Sequence, residues 1–193
     1  MKTFQVTKTV EMDYGHRISR HDSKCHNVHG HRGKLEVTVG GELVVEGSST
    51  DMVMDFCAIK QLMTEQIVDR FDHCLIVSSD DDALLGRIGI LDYELNRLTD
   101  DTGVELLETE EENPFGNRYE VEGLGLVQEL KFGEPTAEVL AYAIYQTLSS
   151  MLPQGCRLIS VRFWETPSSV AEYSGECTAD NSEYRTYVNA QSA

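Results

Sequence analysis

Two histidines a single residue apart, His29 and His31, constrain the segment that carries them. In an extended chain successive side chains alternate between faces, so this spacing puts both rings on one side. Cys25 stands four residues before the pair, and His16 stands a short loop upstream. Two imidazoles on one face, a third from a neighbouring segment and a nearby thiol suggest a metal with one open position and a base beside it. That pattern suits a reaction centre better than a fold staple. Neutral imidazole is a good zinc ligand, and three protein ligands plus an open position is the catalytic arrangement. His16, His29 and His31 are therefore the expected metal ligands. His21 and His26 share the loop as bystanders, His26 having the wrong parity to join the pair.

Around this run the sequence reads as strands. Residues 3–13, with Phe4, Val6, Val10 and Met12 among polar partners, form a first strand. Lys34 to Glu46 forms a second, with Gly40-Gly41 as a turn or bulge. Asp55 has the character of a helix N-cap, and Phe56, Ile59, Met63 and Ile67 follow at helical spacing to about Arg70. After Pro135-Thr136 an apolar helical stripe runs from Val139 to Met151. Leu158 to Trp164 then alternates as a strand, and Val170 to Tyr173 starts a last one. The order is strand, strand, helix, insertion, helix, strand, strand, which is α+β with an antiparallel sheet.

Residues 79–130 stand apart. Asp80-Asp81-Asp82 and Glu108-Thr109-Glu110-Glu111-Glu112 bracket a stretch of weak periodicity, with a short helix possible over Ala83–Leu98 and an irregular hairpin over Tyr119–Val127. The expectation is a solvated surface insertion whose acidity serves solubility. The tail over 176–193 is polar and expected to pack poorly. The whole of 1–193 is expected to be one domain.

Charge narrows the function. A net charge of −17 argues against nucleic acid or an anionic membrane as partner, since both need a cationic footprint. Yet Arg17, Arg20, Lys24, Arg32 and Lys34 crowd the histidine run, opposed only by Asp22. Concentrating cations there implies an anionic substrate. Lys24 and its neighbours would also favour the thiolate of Cys25, which next to a metal can act as a general base. No segment reaches the apolar length of a membrane span, and the start lacks a signal-peptide pattern. Five scattered cysteines then fit reduced thiols in a cytoplasm.

Two further features are weak alone. Asp72-His73 reads either as an ordinary turn or as a carboxylate orienting an imidazole. Glu165 ends an apolar strand, where a carboxylate facing a cleft can accept two parallel hydrogen bonds from a guanidine-like edge of a heterocycle.

Taken in order, His16, Cys25-x-x-x-His29-Gly30-His31, Met54-Asp55-Phe56, Asp72-His73, Pro135-Thr136-Ala137-Glu138 and Trp164-Glu165-Thr166 resemble the 6-pyruvoyl-tetrahydropterin synthase superfamily. The three-residue gap after Cys25 resembles its bacterial 6-carboxy-tetrahydropterin synthase branch, which serves 7-deazaguanine (queuosine) biosynthesis. The resemblance covers nearly the whole chain outside 79–130 and the tail. It implies a tunnelling (T-fold) domain: a four-stranded antiparallel sheet with two helices on one face, here with the acidic insertion between the helices. It also implies a homo-oligomer with active sites at subunit interfaces, Asp72-His73 coming from a neighbouring chain.

The resemblance further implies that His16, His29 and His31 bind Zn2+, Cys25 is the base, Asp72 and His73 tune it, Glu165 anchors a pterin and Thr136 contacts it. The implied reaction converts 7,8-dihydroneopterin triphosphate to 6-carboxy-5,6,7,8-tetrahydropterin, acetaldehyde and triphosphate, the cationic loop receiving the triphosphate. The alternatives are a synthase that stops at 6-pyruvoyl-tetrahydropterin, and a zinc-stabilised binding module without turnover. Two positions depart from the family pattern: Gly33, where an aromatic residue is usual, and Glu134, where Asn is common.

Overall fold

Strands β1 (Thr3–His16) and β2 (His29–Glu42) form the longest antiparallel pair of the molecule, in a computed structural model that describes residues 3–95, 103–109 and 115–175. Helix α1 (Phe56–Met63) follows and continues through a π-helical stretch, Thr64–Val68, into the single turn α2 (Asp69–Phe71). Then come β3 (Cys74–Ser78), α3 (Asp82–Arg87), α4 (Ile90–Leu95), β4 (Val104–Glu108), β5 (Phe115–Val121) and β6 (Gly125–Leu130). Helix α5 (Ala137–Ser149) and the hairpin of β7 (Cys156–Thr166) with β8 (Ser169–Tyr173) complete the order.

The eight strands make one sheet, in the order β4-β5-β6-β3-β1-β2-β7-β8. The expected four-stranded antiparallel sheet is present as β1, β2, β7 and β8, but it is half of what forms, and β3 pairs parallel with both β1 and β6. The missed strand has a physical reason. A strand covered on both faces shows a continuous apolar run instead of alternation, and Cys74-Leu75-Ile76-Val77-Ser78 is buried throughout.

One face of the sheet carries α1 and α5. Their inward residues Ile59, Met63, Leu140 and Ile144 meet Met12, Leu35, Val37, Val39, Val161 and Phe163 in a single core. Each fully buried side chain of this size contributes about 1.5–3 kcal/mol. Gly40 lies within strand β2, not in a turn. A β-bulge puts Ile159 so close that a Cβ at Gly40 would meet its Cδ1 at 2.7 Å. Leu43-Val44-Val45 lies beyond the end of β2.

The acidic stretch is not a solvated loop. Ile76 faces the main core, while Leu75 and Val77 on the other face of β3 pack with Leu85, Ile90, Tyr119, Val121 and Val127 in a second core. The expected hairpin forms as β5 and β6, turning at 122–124, and the expected helix forms as α3 and α4. The remainder of the acidic run, 110–112, and the polar tail 176–193 lie outside the described residues.

Candidate active site

The apolar rows of three adjacent strands change character at the same end of the sheet. On β1 the row Met12, Tyr14 ends in His16; on β2 the row Val37, Leu35, Gly33 ends in His31 and His29; on β7 the row Val161, Phe163 ends in Glu165. Antiparallel register sets Tyr14 opposite His31 and His16 opposite His29. Alternation thus carries the core-facing positions into a cluster of ligands. His16, His29 and His31 each offer one ring nitrogen, all within 4.8 Å of one another.

Two of the three rings are oriented by backbone carbonyls. His16 Nδ1 lies 2.7 Å from the Pro135 carbonyl and His29 Nδ1 lies 2.8 Å from the Asn27 carbonyl. A ring nitrogen paired with a carbonyl carries the proton, which leaves Nε2 with its lone pair toward the cluster. The Nε2 atoms of His16 and His31 are buried and have no hydrogen-bond partner. Burial, the largest influence on both, pushes His16 and His31 below the ordinary histidine value and favours neutral rings. Three imidazoles with two buried, unpaired nitrogens fit a divalent cation.

Beside the cluster opens a cleft of about 320 Å³, lined among others by His16, His29, Cys25, Thr136, Glu138 and Glu165. Cys25 sits in one 3-10 turn, Lys24–His26, capped by Ser23. Glu165 Oε1 stands 3.4 Å from His16 Nε2 and 3.8 Å from His31 Nε2. Thr136 is first an N-cap: its Oγ1 accepts from Val139 N at 3.4 Å at the start of α5. Glu138, in the first turn of α5, is a second carboxylate of the cleft. The sequence signal for it was present in Pro135-Thr136-Ala137-Glu138, where a cap places the next carboxylate one turn in.

Neither His26 nor His21 belongs to the three-histidine cluster, although His21 does line the cleft. His26 Nδ1 pairs with the Ser19 carbonyl at 2.8 Å, and His21 Nδ1 accepts from Ser23 N at 3.0 Å.

Asp72 and His73 form the expected pair but lie elsewhere. Asp72 Oδ2 holds His73 Nδ1 at 2.9 Å, while Asp72 Oδ1 accepts from Asp13 N at 2.8 Å. His73 has a left-handed φ of 57° and its backbone N–H donates to the Asp13 carbonyl. Its side chain is 78% exposed, on a groove shared with Val28, Leu75 and Leu124 and also lined by His29 and His31, of which His29 borders the cleft that holds Cys25 as well. His73 does not line the cleft that holds Cys25.

The cationic loop is largely neutralised within the chain, contrary to the expectation of a free basic patch. Arg17 forms a fork with the buried carboxylate of Asp81, both contacts at 2.6 Å. Arg20 approaches Asp80 and Glu134, Arg32 forks onto Asp13, and Lys34 pairs with Glu36 while lying over the Trp164 ring. Among the described residues Lys24 has no such carboxylate partner.

Both departures from the family pattern acquire causes. Glu134 accepts from Ser19 N, Ser19 Oγ and Arg20 N, pinning the loop that follows His16. At Gly33 a Cβ would meet Tyr14 Cε1 at 2.9 Å and Phe163 Cζ at 3.3 Å, because the Tyr14 ring occupies that space. The Tyr14 hydroxyl is buried without a hydrogen-bond partner, and burial pushes its pKa upward.

Comparison with known proteins agrees with this geometry. Residues 5–176 match the family described as 6-pyruvoyl tetrahydropterin synthase. A 6-carboxy-5,6,7,8-tetrahydropterin synthase of Haemophilus influenzae is 29% identical over 88% of this chain and 98% of its own length. An uncharacterized protein of Wolinella succinogenes superposes with a TM-score of 0.67 at 24% identity, over 91% of this chain and all of the other. A 6-pyruvoyltetrahydropterin synthase of Plasmodium vivax superposes with a TM-score of 0.54 at 15% identity, over 90% of this chain and 98% of the other. With the match spanning both the ligand-bearing strands and the second core, the chain belongs to the 6-pyruvoyl tetrahydropterin synthase family.

Proposed function

We propose that this chain is a lyase, a 6-carboxy-5,6,7,8-tetrahydropterin synthase. It takes 7,8-dihydroneopterin triphosphate to 6-carboxy-5,6,7,8-tetrahydropterin with release of acetaldehyde and triphosphate, as a step of 7-deazaguanine biosynthesis. The observation that carries this reading is the convergence of His16, His29 and His31, two of them with unpaired Nε2 atoms, beside a cleft that also holds Cys25 and two carboxylates. Full-length similarity to a relative of that name supports the choice of product.

The three histidines would hold zinc, which when bound supplies a Lewis acid beside the substrate side chain. Cys25 Sγ removes a side-chain proton. His73, held at Nδ1 by Asp72, keeps Nε2 free to take or return a proton. Glu165 accepts two parallel hydrogen bonds from the amino-pyrimidine edge and fixes the reacting carbons, while Thr136 lines the pterin pocket. Lys24, a cation of the loop without a carboxylate partner among the described residues, meets the triphosphate. The exposure of His73, and its absence from the lining of the cleft that holds Cys25, support a homo-oligomer in which a neighbouring subunit supplies the Asp72-His73 pair.

Product analysis tests the reading. Zinc-loaded protein incubated with the triphosphate should yield acetaldehyde and the 6-carboxy product by mass spectrometry. Formation of 6-pyruvoyl-tetrahydropterin without acetaldehyde would assign the chain to the other branch, and no conversion at all would leave a binding module. Cys25→Ala should lower kcat by about 10²–10⁴-fold, the usual contribution of a positioned base.

A further inference from the structure

Two adjacent residues, Glu134 and Pro135, hold both halves of the cleft from one point. The Pro135 carbonyl meets His16 Nδ1 at 2.7 Å and so sets one histidine of the cluster. The Glu134 carboxylate, only 18% exposed, accepts from Ser19 N at 2.8 Å, from Ser19 Oγ, and from Arg20 N at 3.2 Å. Ser19 and its neighbour Ile18 in turn grip the thiol-bearing turn at two places. Ile18 N donates to the Cys25 carbonyl at 2.9 Å, and the Ser19 carbonyl meets His26 Nδ1 at 2.8 Å. The bonds from Cys25 N to Ser23 Oγ and from Asn27 N to the Lys24 carbonyl lie within the loop, so they fix its shape and not its place. The anchor itself is rigid. Thr136 N donates to the Glu134 carbonyl at 2.7 Å, Pro135 is buried, and Thr136 caps α5, whose Leu140 and Ile144 sit in the main core.

We infer that Glu134 is a positioning residue, which through Ser19 and Ile18 sets where the Cys25 thiol stands relative to the three histidines. The inference rests on the role of Cys25 as base proposed above. Glu134 does not line the cleft, so it acts through the loop and not on a substrate. A carboxylate suits the task because hydrogen bonds to an ionised acceptor are about twice as strong as neutral ones. The histidine and the thiol are thereby referenced to the same end of the same helix. Proton removal by a thiol depends on its distance from the reacting carbon, so the effect of Glu134 belongs to the chemical step.

Two variants of the full-length, zinc-loaded protein provide the test. Glu134→Gln keeps the shape but removes the charge and one acceptor, while Ser19→Ala removes the hydroxyl bond from the other side and serves alone if the first does not fold. Glu134→Gln should lower kcat by about 10–100-fold, the scale of misplacing a reacting group by up to about 1 Å, with KM and zinc content unchanged. Ser19→Ala should act in the same direction, and the double variant should be no worse than Glu134→Gln, because both break one path. Alkylation by iodoacetamide gives a readout free of turnover: the labelling of Cys25 relative to the exposed Cys57, read by peptide mass spectrometry, should shift in both variants. An unchanged ratio in folded Glu134→Gln would overturn the inference whatever kcat did. A raised KM at full kcat, or zinc lost before kcat falls, would overturn it too, by putting Glu134 on the substrate or on His16. If the ratio shifted in both variants while wild type made no product, the positioning would stand and the proposed function would fail.

Discussion

Tyr14 and Gly33 share one volume, and their exchange sets the packing just beneath the histidines. A methyl group at Gly33 meets the Tyr14 and Phe163 rings at 2.9 and 3.3 Å, so Gly33→Ala is expected to cost about 1–3 kcal/mol by overpacking. Denaturant unfolding measures this, and the cost should shrink when Tyr14→Ala is combined with it. The thiols make a second prediction at this scale. Cys74 is buried and its pKa is pushed up to about 12, and burial also raises Cys156, whereas Cys57 is exposed. Iodoacetamide at neutral pH should label Cys57 well before Cys74, as read by peptide mass spectrometry. A Cys74 labelled as fast would contradict the parallel strand built around it.

The histidines also set the response to acid. The folded values of His16 and His31 lie below the ordinary 6.5, so below that pH the unfolded chain binds more protons than the folded one. Their contribution to stability is thus complete above 6.5 and is lost as pH falls from there toward the depressed folded values. Metal-stripped protein should show a Tm that drops between pH 7 and 5, with a shallower slope in His16→Asn. A Tm that rose on acidification over this interval would mean that the rings sit charged in the fold.

At the scale of elements, the part of the site that alternation governs was legible in the sequence. The facing of His29 and His31, the cap at Asp55, the apolar stripe of α5 and the terminal position of Glu165 all follow from local spacing. What was not legible depends on partners distant in sequence. Strand β3 hid because cover on both faces removes its alternation. The role of Pro135 as the carbonyl that orients His16 needs 119 residues of intervening chain to be folded first. The cations near the histidines read as a binding patch because their carboxylates, Asp81 and Glu134, lie in other elements. Thr136 illustrates a residue whose local task is clear. As the cap of α5 its loss in Thr136→Ala should cost about 1 kcal/mol, measurable by thermal unfolding.

For the whole molecule, the proposal that Cys25 and His73 of different chains complete one site has a direct test. Cys25→Ala and His73→Ala should each be inactive alone. Mixed in equal amounts, denatured and refolded together, they should recover about a quarter of wild-type activity if each site draws one half from each of two subunits. No recovery in a mixture shown to co-assemble would place the whole reaction within one chain. The mixed sheet makes such assembly compatible with a well-buried protomer, since both of its cores are complete among the described residues.

The fork between Arg17 and Asp81 joins the strand that ends in His16 to the acidic stretch after β3. Removing the carboxylate leaves a mostly buried guanidinium without its counter-charge, one residue from His16, a proposed ligand of the ion. Asp81→Asn should therefore show itself first as zinc that leaks to a weak chelator, while circular dichroism still reports a folded chain. On the proposed metal-site reading, retention of the ion depends on a segment outside the histidine cluster, and sequence changes in that segment would set how long each molecule stays charged with metal.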